Sequence, residues 1–166
     1  KFNNKTNGIT QRRWLKQANP ALSQLITETI GEAWVTDLEA MRELVRYAED
    51  ESFQEAWQSA KEVNKLVLAD YIRRDLGIGV DTASMFDVQV KRIHEYKRQL
   101  MNILGVAARY FGIKDHPNRD FLPRTVLLGG KAAPGYFMAK LIIRLANDVA
   151  RIVNGDPRMG DWLKLV

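Results

Sequence analysis

From residue 85 to the end of the chain, short apolar runs alternate with longer stretches in which apolar residues recur every three or four positions. The short runs fall at 85–93, at 124–128 and from Leu163 onward. Runs of that length, bounded by turn residues, read as strands. The longer stretches, 97–111 and 136–153, read as helices. One carries Leu100, Leu104, Ala107 and Phe111 as its expected buried stripe, with Gly112 beyond; the other carries Met138, Leu141, Ile142, Leu145, Val149 and Ile152. A strand–helix–strand–helix–strand order predicts an α/β fold with a parallel sheet and right-handed crossovers. Ligands of such sheets gather beyond the carboxyl ends of the strands. Two unusual loops, 91–97 and 129–135, fall at that edge.

The first 80 residues are different in kind. Pro20 suits the first turn of a helix over 20–30, and Gly31 stops it. A second helix is expected over 37–48, with Leu38, Met41, Leu44 and Val45 on one face. A third runs over 51–76, where Phe53, Trp57, Ala60, Val63, Val67 and Tyr71 recur at helical spacing and Gly77 ends the run. Residues 1–19 are a polar loop with a short ordered piece around 12–15, and Trp34 and Trp57 are expected in the core. The chain therefore reads as a single partial domain over 1–166, mainly helical in 1–80 and parallel α/β in 81–166. Lys1 at the start and the strand-like Leu163 to Val166 at the end favour a piece of something longer.

Composition narrows the chemistry. There is no cysteine, which excludes disulfides and thiolate catalysis, and two histidines, His94 and His116, make no histidine-rich metal centre; no metal is expected. No apolar stretch approaches the ~18 residues of a membrane span, so a cytoplasmic location without membrane association is expected. The net charge of +5 allows phosphorylated or acidic partners without demanding nucleic acid, because the cations are scattered.

The most informative motif is VKRIHEYKRQL at 90–100. Lys91, Arg92, Lys97 and Arg98 crowd the junction between a strand and the following helix. Arginine offers phosphate a forked donor and lysine a mobile point charge. The expectation puts Lys97 and Arg98 in the first turn of the helix, where the helix dipole disfavours cations. Glu95 or a bound anion should then compensate. A solvated basic edge is the plain alternative. The loop GGKAAPG at 129–135 lets backbone amides approach a ligand ahead of a helix N-terminus, although its spacing fits neither a P-loop nor a dinucleotide fingerprint; it also reads as a tight turn without a ligand. Dense amides at Asn3, Asn4 and Asn7, followed by Arg12, Arg13 and Trp14, suit sugar hydroxyls or a polar loop of Asx turns. His94 reads as an acid–base group or as a hydrogen-bonded structural histidine. No pair of acidic residues supports glycoside hydrolysis, and no serine sits in a nucleophile elbow.

Taken together, KFNNKTNGIT with Arg12, Arg13 and Trp14, then VKRIHEYKRQL, then GGKAAPGY resemble the α-glucan (glycogen, starch, maltodextrin) phosphorylases, over essentially the whole chain and in family order. The resemblance implies part of a GT-B type glycosyltransferase, the first half of its C-terminal domain. It implies transfer of the terminal α-1,4-linked glucosyl unit of a glucan to inorganic phosphate, giving glucose 1-phosphate with retention. Pyridoxal 5′-phosphate is the implied cofactor, acting through its phosphate. Carried over, Lys91 would contact the cofactor phosphate and Trp14 would lie near the cofactor. Arg92 and Lys97 would hold the substrate phosphate, Tyr96 would touch a glucose hydroxyl and Asn7 the 6-hydroxyl. Glu95 and Tyr136 would line the mouth where animal members bind purine-like inhibitors. The family's Schiff-base lysine has no counterpart here, so the chain alone is expected to be inactive and to bind the cofactor poorly. The parent is expected to be a homodimer.

Two other readings stay open. One is a non-catalytic phosphate- or nucleic-acid-binding module on the same basic edge, although neither an RNP-like aromatic strand nor a basic helix stripe is present. The other is a helical interaction domain built on residues 51–76, which leaves the three loops unexplained.

Overall fold

The computed structural model describes residues 2–3, 8 and 10–166. They divide into two compact units, 1–68 and 69–166, the division falling within one long helix.

In the first unit, Arg12–Gln17 forms a single π-helical turn. Helix α1 (Pro20–Ile30) follows. Asn19 caps it, its side-chain oxygen accepting from the Leu22 amide at 3.2 Å, and Pro20 fills the first position, where a missing N–H costs nothing. Gly31, at φ +79°, ends it in a conformation that side chains disfavour. Leu22, Ile26 and Trp34 form the buried core of this unit, with Met41, Leu44, Trp57 and Ala60 packed on it. Trp34 is fully buried, and its indole N–H donates to Thr27 Oγ1 at 3.1 Å. The expected helix over 37–48 is wound instead as a 3-10 run, Leu38–Tyr47. Its apolar residues explain the difference. Leu38, Met41, Leu44 and Tyr47 recur every three positions, and a 3-10 helix stacks i over i+3. The ion pairs Glu39–Arg42 and Glu43–Arg46 share that spacing. Val45, expected inside, is therefore 74% exposed.

Helix α2 (Glu51–Leu76) has the expected bounds. Asp50 starts it, accepting from the Phe53 amide and the Ser52 hydroxyl. Its stripe is buried only in part: Phe53, Trp57 and Ala60 are half-buried, while Val63, Val67 and Tyr71 are exposed.

The second unit is a three-stranded parallel sheet in the order β1 (Met85–Val90), β2 (Arg124–Gly129), β3 (Leu163–Leu165). Helix α3 (Gln99–Asp115) joins β1 to β2, and α4 (Phe137–Gly155) joins β2 to β3. The parallel α/β expectation is met. Register sets Val90 opposite Gly129 and Val126 opposite Leu165. The central strand β2 is buried on both faces at Thr125, Val126 and Leu127, as a parallel strand requires. On the side that Thr125 faces, its hydroxyl meets the buried Ser84 hydroxyl at 2.8 Å. On the other, Val126 joins Val106, Tyr110, Ile113, Val153, Leu163 and Leu165 in one core.

Helix α3 buries a face one step round from the expected stripe, and α4 does so in part: of its expected stripe Ile142 is buried and Val149 packs on the core. In α3 the buried residues are Gln99, Ile103, Val106, Tyr110 and Ile113, while Leu104 is 58% exposed, as are Leu100 and Phe111 in similar measure. In α4 they are Ala139, Ile142 and Val153, with Met138, Leu141, Leu145 and Ile152 outside. Each helix is apolar on two faces, so periodicity alone cannot say which one meets the sheet. The shorter residues of α4, Ala139 and Ala146, pack inward, where they allow close approach to the sheet. Beyond α4, Asp156 holds the turn into β3: it accepts from Tyr110 Oη at 2.8 Å and from the Arg158 guanidinium, which keeps its carboxyl well below the usual range.

Candidate functional site

The carboxyl edge of the sheet is built from the two loops singled out above. Strand β1 ends at Val90 rather than running to 93. The ladder does not stop abruptly there. The Lys91 amide donates to Gly129 O at 2.9 Å and the Ile93 amide to Lys131 O at 3.2 Å, so the two loops leave the sheet side by side. Gly130 makes this approach possible. A Cβ at that position would lie 2.1 Å from the Lys91 carbonyl oxygen and 3.0 Å from Ile93 Cδ1.

Residues 95–97 form a separate 3-10 turn, and α3 starts only at Gln99. Arg98 stands between them at φ +61°, the only non-glycine among the described residues with a left-handed backbone. Lys97 and Arg98 thus precede α3, contrary to the expectation that they lie in its first turn, and Arg98 stands at its N-cap.

Gln99 fixes the basic loop from below. It is 1% exposed; its Nε2 donates to Arg92 O at 3.1 Å and its Oε1 accepts from the His94 amide at 3.3 Å. Gln89 does the same for the far end, donating to Lys97 O at 2.9 Å while accepting from Asn102 Nδ2 at 3.0 Å. Neither glutamine was singled out from the sequence. The sequence carried no signal for Gln99, because the stripe expected in α3 ran through Leu100, Leu104, Ala107 and Phe111 and left Gln99 outside it. Replacing Gln99 by leucine strands the His94 amide and the Arg92 carbonyl. We expect a loss of about 1–3 kcal/mol for each group left unpaired, read as a lower denaturant midpoint at unchanged slope.

A third tie joins the two loops. Tyr136 Oη donates to Glu95 Oε2 at 2.6 Å and accepts from the Glu95 amide at 3.3 Å. The His94 ring sits 4.5 Å from that of Tyr96 and 4.9 Å from that of Tyr136. A cavity of about 470 Å³ opens beside them, with Arg92, His94, Lys131 and Tyr136 as its polar wall and Ile93, Ala132 and Pro134 among its apolar lining.

The charges at this edge are one-sided. Lys91, Arg92, Lys97, Arg98 and Lys131 lie on the two loops, and among the described residues none makes an ion pair. Glu95, the nearest candidate to neutralise them, is turned to the Tyr136 hydroxyl. Lys97 Nζ rests 5.5 Å from the Tyr96 ring centroid, a cation–π contact rather than a salt bridge. With Glu95 turned away, a bound anion or plain solvation of these mostly exposed cations is left to compensate them.

The residues expected at a site are therefore distributed as follows. Arg92 and Tyr136 share the cavity wall; Lys131, not singled out before, joins them. Lys91, Glu95, Tyr96 and Lys97 lie on the same loop, outside the lining of that cavity. Trp14 belongs to the first unit, on the π-helical turn, and is 74% exposed. Asn7 lies outside the described residues. Among the described residues no group of three or more histidine or acidic side chains could hold a metal, and no helix is long and apolar enough to cross a membrane.

The family model for carbohydrate phosphorylases matches residues 1–166. The chain belongs to the carbohydrate phosphorylase family. It is 51% identical over 166 residues to the muscle form of glycogen phosphorylase from Ovis aries and to that from Homo sapiens, covering all of this chain and 20% of each relative. It is 52% identical to glycogen phosphorylase 2 of Dictyostelium discoideum over 167 residues, again all of this chain and 17% of the relative. The chain thus spans about a fifth of the length of those relatives, and the basic and glycine loops lie within the shared region.

The Tyr136–Glu95 pair makes a pH-dependent tie. The hydrogen bond to the Glu95 carboxylate, with some desolvation, holds the Tyr136 phenol above its ordinary range. A raised phenol contributes fully below its unfolded pKa, near 10, and the contribution is lost as pH rises through the higher folded value. Tyr136→Phe is expected to lower the denaturant midpoint at neutral pH, because the bond to the Glu95 carboxylate is lost. The difference from wild type should vanish in strongly alkaline solution.

Proposed function

We propose that this chain is the first half of the C-terminal domain of an α-glucan phosphorylase, a GT-B type glycosyltransferase. The reading is carried by one observation: five cations on two loops at the carboxyl edge of a parallel sheet, with their one nearby acid turned to a tyrosine. Such an edge suits two phosphate groups brought close together, since preorganised cations stabilise charge that water would otherwise have to solvate. The parent would transfer the terminal α-1,4-linked glucosyl unit to inorganic phosphate, with retention, as a cytoplasmic homodimer.

Pyridoxal 5′-phosphate fits this donor set. Its phosphate needs cations free of carboxylate partners, and Gly130 keeps the Lys91 backbone within reach of the glycine loop. When bound, it supplies a phosphate able to exchange a proton with the substrate phosphate. In this reading Lys91 holds the cofactor phosphate. Arg92 and Lys97 hold the substrate phosphate, Arg92 through its fork and Lys97 as a point charge. Tyr96 and Asn7 bind glucose hydroxyls, Trp14 lies by the cofactor, and Glu95 and Tyr136 form the mouth of a side pocket for planar inhibitors. The lysine that bears the cofactor comes from elsewhere in the parent, so this chain alone is inactive. The test is formation of glucose 1-phosphate from a glucan and inorganic phosphate. The full-length protein should form it only when loaded with pyridoxal phosphate, and the isolated chain should form none. A loaded full-length protein that forms none overturns the proposal.

A further inference from the structure

A second polar cavity lies away from both loops, between α3 and the sheet. It has a volume of about 200 Å³ and is lined by Asp87 of β1, Asn102, Gly105 and Arg109 of α3, Arg124 of β2 and Leu163 of β3, among others. Two guanidinium groups face one carboxylate. Arg124 Nη1 meets Asp87 Oδ2 at 3.3 Å. Among the described residues Arg109 has no acidic partner; its Nη2 donates to the Leu122 carbonyl, and its guanidinium lies 5.7 Å from the Phe121 ring centroid. The Nε of each arginine is buried and has no hydrogen-bond partner. Two buried charged donors without acceptors, side by side in one cavity, are rare in native proteins and call for an ion or a water. Two guanidinium groups against the single carboxylate of Asp87 leave this cavity with excess positive charge, and burial, then the charge of Arg124, hold the Arg109 guanidinium below its usual range. Gly105 leaves its wall open, since a Cβ there would meet nothing within 4 Å. At about 30 Å³ per liquid water, there is room for a phosphate-sized ion with part of its hydration shell.

We propose that this cavity is a binding site for a small oxyanion, held between Arg109 and Arg124 by their Nε–H groups and separate from the basic loop. Asp87 limits the net charge to one positive unit, which favours small anions of low charge over polyanions. Two sources share this chemistry, inorganic phosphate and a short carboxylate.

The test follows the arginine Nε–Hε signals of the chain by NMR while sodium phosphate, sodium succinate or sodium chloride is added at constant ionic strength. The Arg109 and Arg124 signals are assigned by their loss in Arg109→Leu and Arg124→Lys. Saturable shifts of both signals with phosphate, at least tenfold weaker for Arg124 in Arg109→Leu, support a phosphate site. The same response to succinate alone supports a carboxylate site. Equal response to chloride, or phosphate shifts confined to residues 91–97, overturns the inference while leaving the proposed function standing. If the isolated chain gives no dispersed signals, crystals of the full-length protein soaked in dilute tungstate decide. Anomalous density between Arg109 and Arg124 supports the site; density absent there, or no weaker in Arg109→Leu, overturns it.

Discussion

If the full-length protein has the proposed activity, Gly130→Ala is expected to lower it about a hundredfold, with a loss of stability of about 1–3 kcal/mol from overpacking. The added methyl would stand 2.1 Å from the Lys91 carbonyl oxygen. That oxygen is backbone, held by the neighbouring bonds from the Lys91 and Ile93 amides to the glycine loop, so no side chain can swing aside. The loop itself must move, taking Lys91 and Arg92 with it. A displacement near 1 Å at positioned groups can cost about 10²-fold in rate. Gly135→Ala, in the same loop, is the control. Nothing lies within 4 Å of its added Cβ, and its effect on stability should stay within about 0.5 kcal/mol. Equal activities for the two variants would show that the Gly130 approach does not position the basic loop.

Arg92→Ala is expected to have a catalytic effect of comparable or greater size. Its side chain lines the 470 Å³ cavity, and its backbone carbonyl is pinned by Gln99, so truncation leaves the loop in place while removing the forked donor. Losing one partner of a desolvated charge pair typically costs about 2–5 kcal/mol, which is on the order of 30-fold to several thousand-fold in kcat/KM for phosphate. Arg92→Lys should recover only part of this, because an ammonium lacks the planar fork. Full recovery by lysine would mean that charge alone is needed; unchanged kcat/KM in the alanine variant would remove Arg92 from the site.

The strands, the long helix and α1 were legible in the sequence because punctuation marks them: Pro20 and Gly31 at α1, turn residues around each strand. The inward faces of α3 and α4 were not. Leu100, Leu104 and Phe111 compete with Ile103, Val106 and Tyr110 on adjacent faces, and only the sheet decides between them. The basic loop was legible as a cluster of like charges, whereas its supports were not. Gln99, Gln89 and Gly130 act through backbone groups of distant residues, which leave no periodicity or charge pattern. The 3-10 run was readable in principle, since Leu38, Met41, Leu44 and Tyr47 repeat every three residues, but helical expectation at period 3.6 took Val45 instead of Tyr47.

The most direct measurement is a titration of phosphate and of glucose 1-phosphate into this chain and into its Arg92→Ala variant, following backbone amide shifts by NMR. Amide shifts centred on residues 91–97, saturable and lost in the variant, are the expected result, because the cations are already gathered and unpaired at the carboxyl edge. Shifts spread evenly over exposed lysines and arginines, and unchanged by Arg92→Ala, would contradict a phosphate site in this loop.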